Sequence, residues 1–170
     1  MPSFTAGASF KFYEPLVRKF QRLLEEEFKG RLISLVLYGS VARGMAGPES
    51  DIDLLAVVGD ETENPAYRAA GVIVKLQSSG EFLALKSRET WPTLSCLALT
   101  RLEAGEGRWL FLDMVDDAVL LKDEGGFFRD RLERLRGRMR DLGSEKIRLP
   151  DGSWYWNVKP DLRPGESFEL

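Results

Sequence analysis

Two short apolar runs, Leu35-Val-Leu-Tyr38 and Ile52-Asp-Leu-Leu-Ala-Val-Val58, flank a glycine-marked turn, and no other feature narrows the fold of this chain so far. Runs of this length, bounded by turn residues, predict buried strands over about 33–38 and 51–58. Gly39-Ser40 breaks the first strand, and Val41-Ala-Arg43 begins a helical turn for which Ser40 is the predicted cap. Gly44, Gly47 and Pro48 end that turn almost at once. The second strand is expected to open at Asp51. Side chains at i and i+2 of a strand share a side, so Asp51 and Asp53 present two carboxylates together.

Free backbone N–H groups at a glycine turn that opens a helix form a site for phosphate. Two carboxylates on one side of an otherwise apolar segment are costly unless a positive charge sits between them. A hard divalent cation with oxygen ligands, Mg²⁺ above all, suits that position and bridges to phosphate oxygens. A bare Asp-x-Asp is more often a pair of solvated aspartates at a strand end. The close spacing of Gly39-Ser40, Arg43-Gly44 and Ser50-Asp51 selects the phosphate-and-metal reading here.

Gly39-Ser40-x-x-Arg43-Gly44 followed by Ser50-Asp51-x-Asp53-Leu54 resembles the signature of the polymerase-β-like nucleotidyltransferases, and within them the minimal nucleotidyltransferase domains of archaea and bacteria. A weaker likeness, over Leu112–Val119 and Gly152–Asp161, is to archaeal-type members with a C-terminal extension. The resemblance implies an α+β fold, a mixed sheet flanked by helices. It implies a nucleoside triphosphate with its phosphates on Gly39 and Ser40, and two Mg²⁺ ions held by Asp51, Asp53 and a third carboxylate from a neighbouring strand. Arg43 would neutralise charge or structure the loop, and Ser50 would cap or orient the turn. An acceptor hydroxyl on a protein, an RNA or a small molecule would attack the α-phosphate. The strand expected at Leu94–Thr100 carries no acid, however; Ser95 and Thr93 stand at its sheet-face positions, with Glu89 and Glu103 at its flanks. Two functions therefore stand side by side: a nucleotidyltransferase, or a catalytically weak NTP-binding antitoxin-like module that partners a HEPN-type protein.

Histidine is absent, which removes Ser-His-Asp and Cys-His nucleophilic catalysis and imidazole zinc sites. Chemistry must rest on carboxylates, metal ions, Arg, Lys or Tyr, as phosphoryl-type transfer does. The single cysteine, Cys96, excludes an internal disulfide and is expected to be buried. No apolar stretch reaches membrane-span length and no signal pattern opens the chain, so a cytoplasmic protein is expected. A net charge of −3 does not indicate a general nucleic-acid binder. The 170 residues divide on this reading into a nucleotidyltransferase domain over 1–123 and a packed helix-and-hairpin extension over 124–170.

Along the chain, residues 1–9 read as a loose tail and an apolar stripe from Phe12 to Phe28 as a helix stopped by Gly30. Helices are expected from Pro65 into the high 70s, over Glu81–Arg88 and over Leu102–Glu106, with a fourth strand at Ala118–Leu121. Phe127–Leu142 is a helix with six arginines, at 129, 131, 134, 136, 138 and 140. Its basic face is either solvated, with pairing to Asp130 and Glu133, or a dock for RNA or an acidic partner. Ile147–Val158 reads as a hairpin around Pro150–Ser153, whose Trp154, Tyr155 and Trp156 either anchor a tail or stack on a base.

Overall fold

The computed structural model describes residues 8–47, 50–87, 91–150 and 152–170. In chain order it contains α1 (Ala8–Phe28), β1 (Leu32–Tyr38), the single turn α2 (Gly39–Ala42) and β2 (Ile52–Val58). Next come α3 (Pro65–Leu76), α4 (Gly80–Lys86), β3 (Leu94–Thr100), α5 (Arg101–Gly105), a 3-10 segment Trp109–Met114 and β4 (Val119–Asp123). A 3-10 turn at Glu124–Gly126 leads into α6 (Phe127–Asp141), and β5 (Glu145–Arg148) and β6 (Trp154–Asn157) follow it.

Four strands form one sheet in the order β3-β2-β1-β4. Both neighbours of β1 are antiparallel to it, while β3 runs parallel to β2. A parallel pair needs a crossover, and α3 and α4 supply it. This is the mixed α+β sheet flanked by helices that the motif implies.

Strand alternation divides the apolar residues between two cores. Leu35, Leu37, Leu54, Ala56 and Val58 join α1 and α3 through Leu16, Phe20, Phe28 and Val72. Val36, Leu55, Val57 and Leu99 point the other way, onto Phe111, Met114, Phe128 and Leu132. Phe111 and Phe128 meet edge to face at 5.3 Å, both fully buried. The 3-10 segment and α6, which follow β3, thus close one particular face of the sheet. By the same parity, that is the face on which Tyr38, Asp53 and Ser95 stand.

Several boundaries differ from expectation. α1 begins at Ala8, inside the stretch read as a tail; residues 1–7 lie outside the described residues. Asp51 precedes β2 rather than opening it. Ser40 lies inside the α2 turn; the cap position falls to Tyr38, which makes no side-chain cap bond. β4 runs on past its apolar residues because its polar end is satisfied. Lys122 pairs with Glu25 at 3.8 Å, and the Asp123 carboxylate accepts from the Ser34 hydroxyl at 2.7 Å. The 3-10 segment Trp109–Met114 carried no periodic signal that would have announced it. The arginine helix is neither wholly solvated nor wholly free to dock, since Arg136 donates to the Val115 carbonyl and Arg138 to that of Glu169.

Asp123 also accepts from the backbone N–H groups of Phe128 and Arg129, at 2.9 and 3.1 Å, so one carboxylate ties β1, β4 and the first turn of α6 together. Asp123→Ala leaves the buried Ser34 hydroxyl and two helix N–H groups without this partner. The expected loss is about 1–3 kcal/mol, measured as a lower urea midpoint with an unchanged slope.

Candidate active site

Tyr38, the last residue of β1, lies directly opposite Asp53 of β2, and Asp53 lies directly opposite Ser95 of β3. Gly39 then turns the chain over the Asp53 side chain with φ of +74°, a conformation in the region that favours glycine. A Cβ added to Gly39 would stand 2.4 Å from Asp53 Oδ2. The carboxylate therefore rests in space that only the missing side chain leaves open. Arg43 closes the α2 turn, and its N–H donates to the Gly39 carbonyl at 3.2 Å. Ser50 binds the loop before Asp51 from both ends. Its hydroxyl accepts from the Gly47 N–H at 2.9 Å, and its own N–H donates to the Gly47 carbonyl at 3.1 Å.

Electrostatics couple these groups. Partial burial pushes the Asp53 carboxyl above its usual range, the neighbouring Asp51 charge pushes it further, and Arg43 partly offsets both. Burial pushes the Tyr38 phenol up to about 12, with the charges of Asp53 and Asp113 adding to it. The phenol therefore stays protonated through the neutral range as a potential hydrogen-bond donor beside the carboxylates. Gly39, Arg43, Asp51 and Asp53 are thus brought together, with Ser40 within the same turn and Ser50 shaping the loop between them.

The residues read as stand-ins for a third carboxylate fare differently. Ser95 occupies the sheet position beside Asp53 and brings a hydroxyl there. Glu103 lies just past the far end of β3, where it closes a capping box with Thr100; its carboxylate accepts from the Thr100 N–H at 2.7 Å. Glu89 lies outside the described residues. Among the described residues no group of three acidic, cysteine or histidine side chains gathers as a metal cage. Two neighbouring carboxylates, beside a glycine whose missing side chain leaves room at Asp53, still suit one hard divalent cation.

Three residues that the sequence reading did not place at the site reach its edge. Asp113, from the 3-10 segment, lies close enough to Arg43 and Lys146 for both cations to lower its carboxyl, against a larger rise from burial. Lys146 and Trp154 come from the β5–β6 hairpin. Together with Ser40, Arg43 and Arg148 they line a cleft of about 690 Å³ next to the glycine turn. The sequence signals were the Asp113-Met-Val-Asp-Asp run and the Trp154-Tyr-Trp cluster, but nothing in their spacing ties either to the glycine turn far upstream.

The sequence model of the family described as nucleotidyltransferase domain matches residues 17–149, well over half of the chain. The chain belongs to that family. A nucleotidyltransferase domain accounts for the sheet, the glycine turn and the aspartate pair together, in agreement with the polymerase-β-like, minimal type read from the motif. A relative from Methanocaldococcus jannaschii, provisionally assigned as a protein adenylyltransferase, is 43% identical over 47 residues. That stretch is 28% of this chain and 46% of the relative, so the match spans about half the length of that protein. Solved structures similar to this nucleotidyltransferase domain include a toxin–antitoxin with AMP-PNP, at a TM-score of 0.48 and 18% identity, covering 74% of this chain and 91% of that one. A nucleotidyltransferase, so assigned, from Sulfolobus solfataricus has a TM-score of 0.37 and 18% identity, covering 68% and 87%. These distant structural likenesses carry no functional argument.

Because Asp53 binds its proton more tightly in the folded chain than in the unfolded one, its charged form opposes folding without metal. That cost is present above the raised folded value and fades as pH falls through it toward the ordinary carboxylate range. Asp53→Asn, neutral at every pH, is therefore expected to melt higher than wild type in EDTA at pH 7. The difference should close on acidification, as thermal melts across pH 7 to 3 will show.

Proposed function

We infer that this chain transfers a nucleoside monophosphate from a nucleoside triphosphate to a hydroxyl acceptor, with ATP the leading donor. The observation that carries the reading is the Asp51–Asp53 pair held against the Gly39 turn, in a chain of the nucleotidyltransferase family. The donor preference is supported by the adenylyltransferase assignment of the M. jannaschii relative. In the reaction, the acceptor oxygen forms a bond to the α-phosphorus, the bond to the β-phosphate oxygen breaks, and pyrophosphate leaves with that electron pair. The acceptor's proton is released to solvent or a nearby carboxylate.

On this reading each residue of the turn has a task. Gly39, lacking a side chain, lets the phosphates approach the backbone, and Ser40 offers a hydroxyl and an N–H in the same turn. Arg43 supplies fixed positive charge against the phosphates. Asp51 and Asp53 would hold Mg²⁺, and Ser50 keeps the loop that carries Asp51 folded back. A bound divalent cation supplies Lewis-acid polarisation of phosphate oxygens and acidifies the attacking hydroxyl. Tyr38, protonated, stands ready to donate a hydrogen bond beside Asp53. Residues 124–170 are assigned as an extension packed on the domain over 1–123, and α6 and Val158 filling the core on the Asp53 face support that packing.

A second reading has its own observation. With Ser95 where a third carboxylate is expected, metal would be held by two protein carboxylates, and transfer would be slow or lost while NTP binding remains. The chain would then act as a binding module for a partner protein, a HEPN-type protein being the leading candidate from the motif's resemblance.

Calorimetric titration with ATP, with and without Mg²⁺, tests the common ground. Asp53→Asn is expected to weaken Mg²⁺-dependent ATP binding by tenfold or more, on the order of 1.4 kcal/mol, with the fold intact by circular dichroism. Equal affinities for the variant and wild type would remove Asp53 from the site. Pyrophosphate release during incubation with Mg·ATP and candidate acceptors separates the transferase from the binding module.

A further inference from the structure

The four-stranded sheet ends on two edges, and the chain treats them differently. β4 ends one side with Lys122 and Asp123 and an irregular register on β1, which are common guards of an edge strand. β3 ends the other with Leu94-Ser-Cys-Leu-Ala-Leu-Thr100, which holds no charge and no proline and pairs with β2 in unbroken register. The Thr93 carbonyl accepts from the Ile52 N–H at 2.8 Å, so it faces β2. Backbone groups alternate sides along a strand, and those of Leu94 and Cys96 therefore turn outward. Over Leu94–Leu97 the strand is half-buried or exposed, whereas Ala98 and Leu99 are buried.

α3 presents a side without charge toward this edge. Ala69, Val72 and Leu76 face the core. Arg68 and Lys75, two helical turns apart and so on one side of the helix, both bind Glu27 of α1. Half a turn round from them stand Ala66, Ala70, Ile73 and Gln77. A small cavity lined by Ile73, Gln77, Thr93 and Leu94 places this side against the start of β3. Ala66, Ala70 and Gln77 are exposed and Ile73 is half-buried. The spacing of these four residues reads the same in both directions. Set antiparallel against a copy of itself, the helix brings Ala70 opposite Ile73 and Ala66 opposite Gln77, small against large in both pairs.

We propose that the β3 edge and the uncharged side of α3 form a two-fold interface between two copies of this chain. The strands pair antiparallel over Leu94–Leu97, joining the two sheets into one, and the two α3 helices lie antiparallel on one face of it. Because α3 packs beside β3, the rotation that pairs the strands also pairs the helices. A stable dimer covers about 800 Å² on each copy, more than so short a strand edge supplies. The helix flank and Trp91, which is 65% exposed just before β3, extend the surface. Ser95 lies in the paired stretch and beside Asp53, so the interface borders the candidate site of each copy.

Sedimentation equilibrium of the full chain at micromolar concentrations should give twice the chain mass of 19.2 kDa. Ala70→Glu, which sets like charges near the two-fold axis, should weaken association by about tenfold or more, with an unchanged circular dichroism spectrum. Tyr155→Glu, at an exposed position of the hairpin, should leave the dimer intact. If Ala70→Glu fails to fold, Ala66→Arg, exposed on the same flank, should have the same effect. Hydrogen exchange read at single amides tests the strand. Leu94 and Cys96 should exchange slowly in the wild type and fast in the Ala70→Glu variant. A chain that is monomeric at every concentration overturns the interface, and so does a dimer indifferent to both α3 variants. A dimer that needs Ala70 but leaves the Leu94 and Cys96 amides fast overturns the strand pairing. Protection of those amides only when a different protein is bound overturns the second copy as the occupant.

Discussion

Asp53 and the backbone of Gly39 compete for the same few ångströms, and the arrangement of the whole domain keeps both there. The pairing of Tyr38 with Asp53 brings the end of β1 over the start of β2, and the missing Cβ of Gly39 lets the chain turn across the carboxylate. A slip of one residue in this pairing would send Asp53 to the opposite face and Leu54 out of its core. Register is therefore fixed by the two hydrophobic cores, which grip β1 and β2 from opposite sides. The candidate site is a by-product of packing that must hold for apolar reasons alone.

The two faces of the sheet are closed by different parts of the chain, and that division places chemistry. α1 and α3 cover one face, cross-tied where Glu27 takes Arg68 at 2.9 Å and Lys75 at 3.3 Å. The 3-10 segment, α6 and the residues around the hairpin cover the other, which is the Asp53 face. Late segments of the chain thus have access to the site by the way they pack. Asp113 arrives from a 3-10 turn whose Phe111 and Met114 are core residues, and the hairpin arrives because Val158 is buried and the half-buried Trp156 packs against the core that α6 shares. Arg43 is the meeting point, lowering both Asp53 and Asp113 while it lies against Trp154.

The electrostatic character of the region follows from crowding acids where solvent is partly excluded. Asp53, Asp113 and Tyr38 all hold their protons more tightly than they would in water, each first because of burial. Such a region opposes its own ionisation and gains when a cation enters it. Elsewhere burial of a titratable group has no such bearing: Cys96, on the opposite parity of β3 and only partly buried where the sequence predicted full burial, packs against the α1 core with its thiol pushed up to about 12.

Much of this was legible in the chain before any coordinates. Short bounded apolar runs and the glycine punctuation determined β1, β2 and the turn between them, and the spacing of Asp51 and Asp53 keeps Asp51 close enough for its charge to act on Asp53. Those are local consequences of backbone geometry, and a neighbouring residue is enough to decide them. The acid-free stretch Leu94–Thr100 also determined that no carboxylate of that strand would stand beside Asp53, while the register that puts Ser95 there came from the pairing of β2 with β3. The tertiary structure alone decided which later residues face the pair. Glu103 was a plausible neighbour by distance along the chain, but β3 carries it to the far end of the sheet, where it caps α5. Asp113, Lys146 and Trp154 reach the cleft through burial of Phe111 and Phe128 and the packing of Trp156 against their core. Those contacts depend on how whole faces pack, which no spacing along the chain encodes.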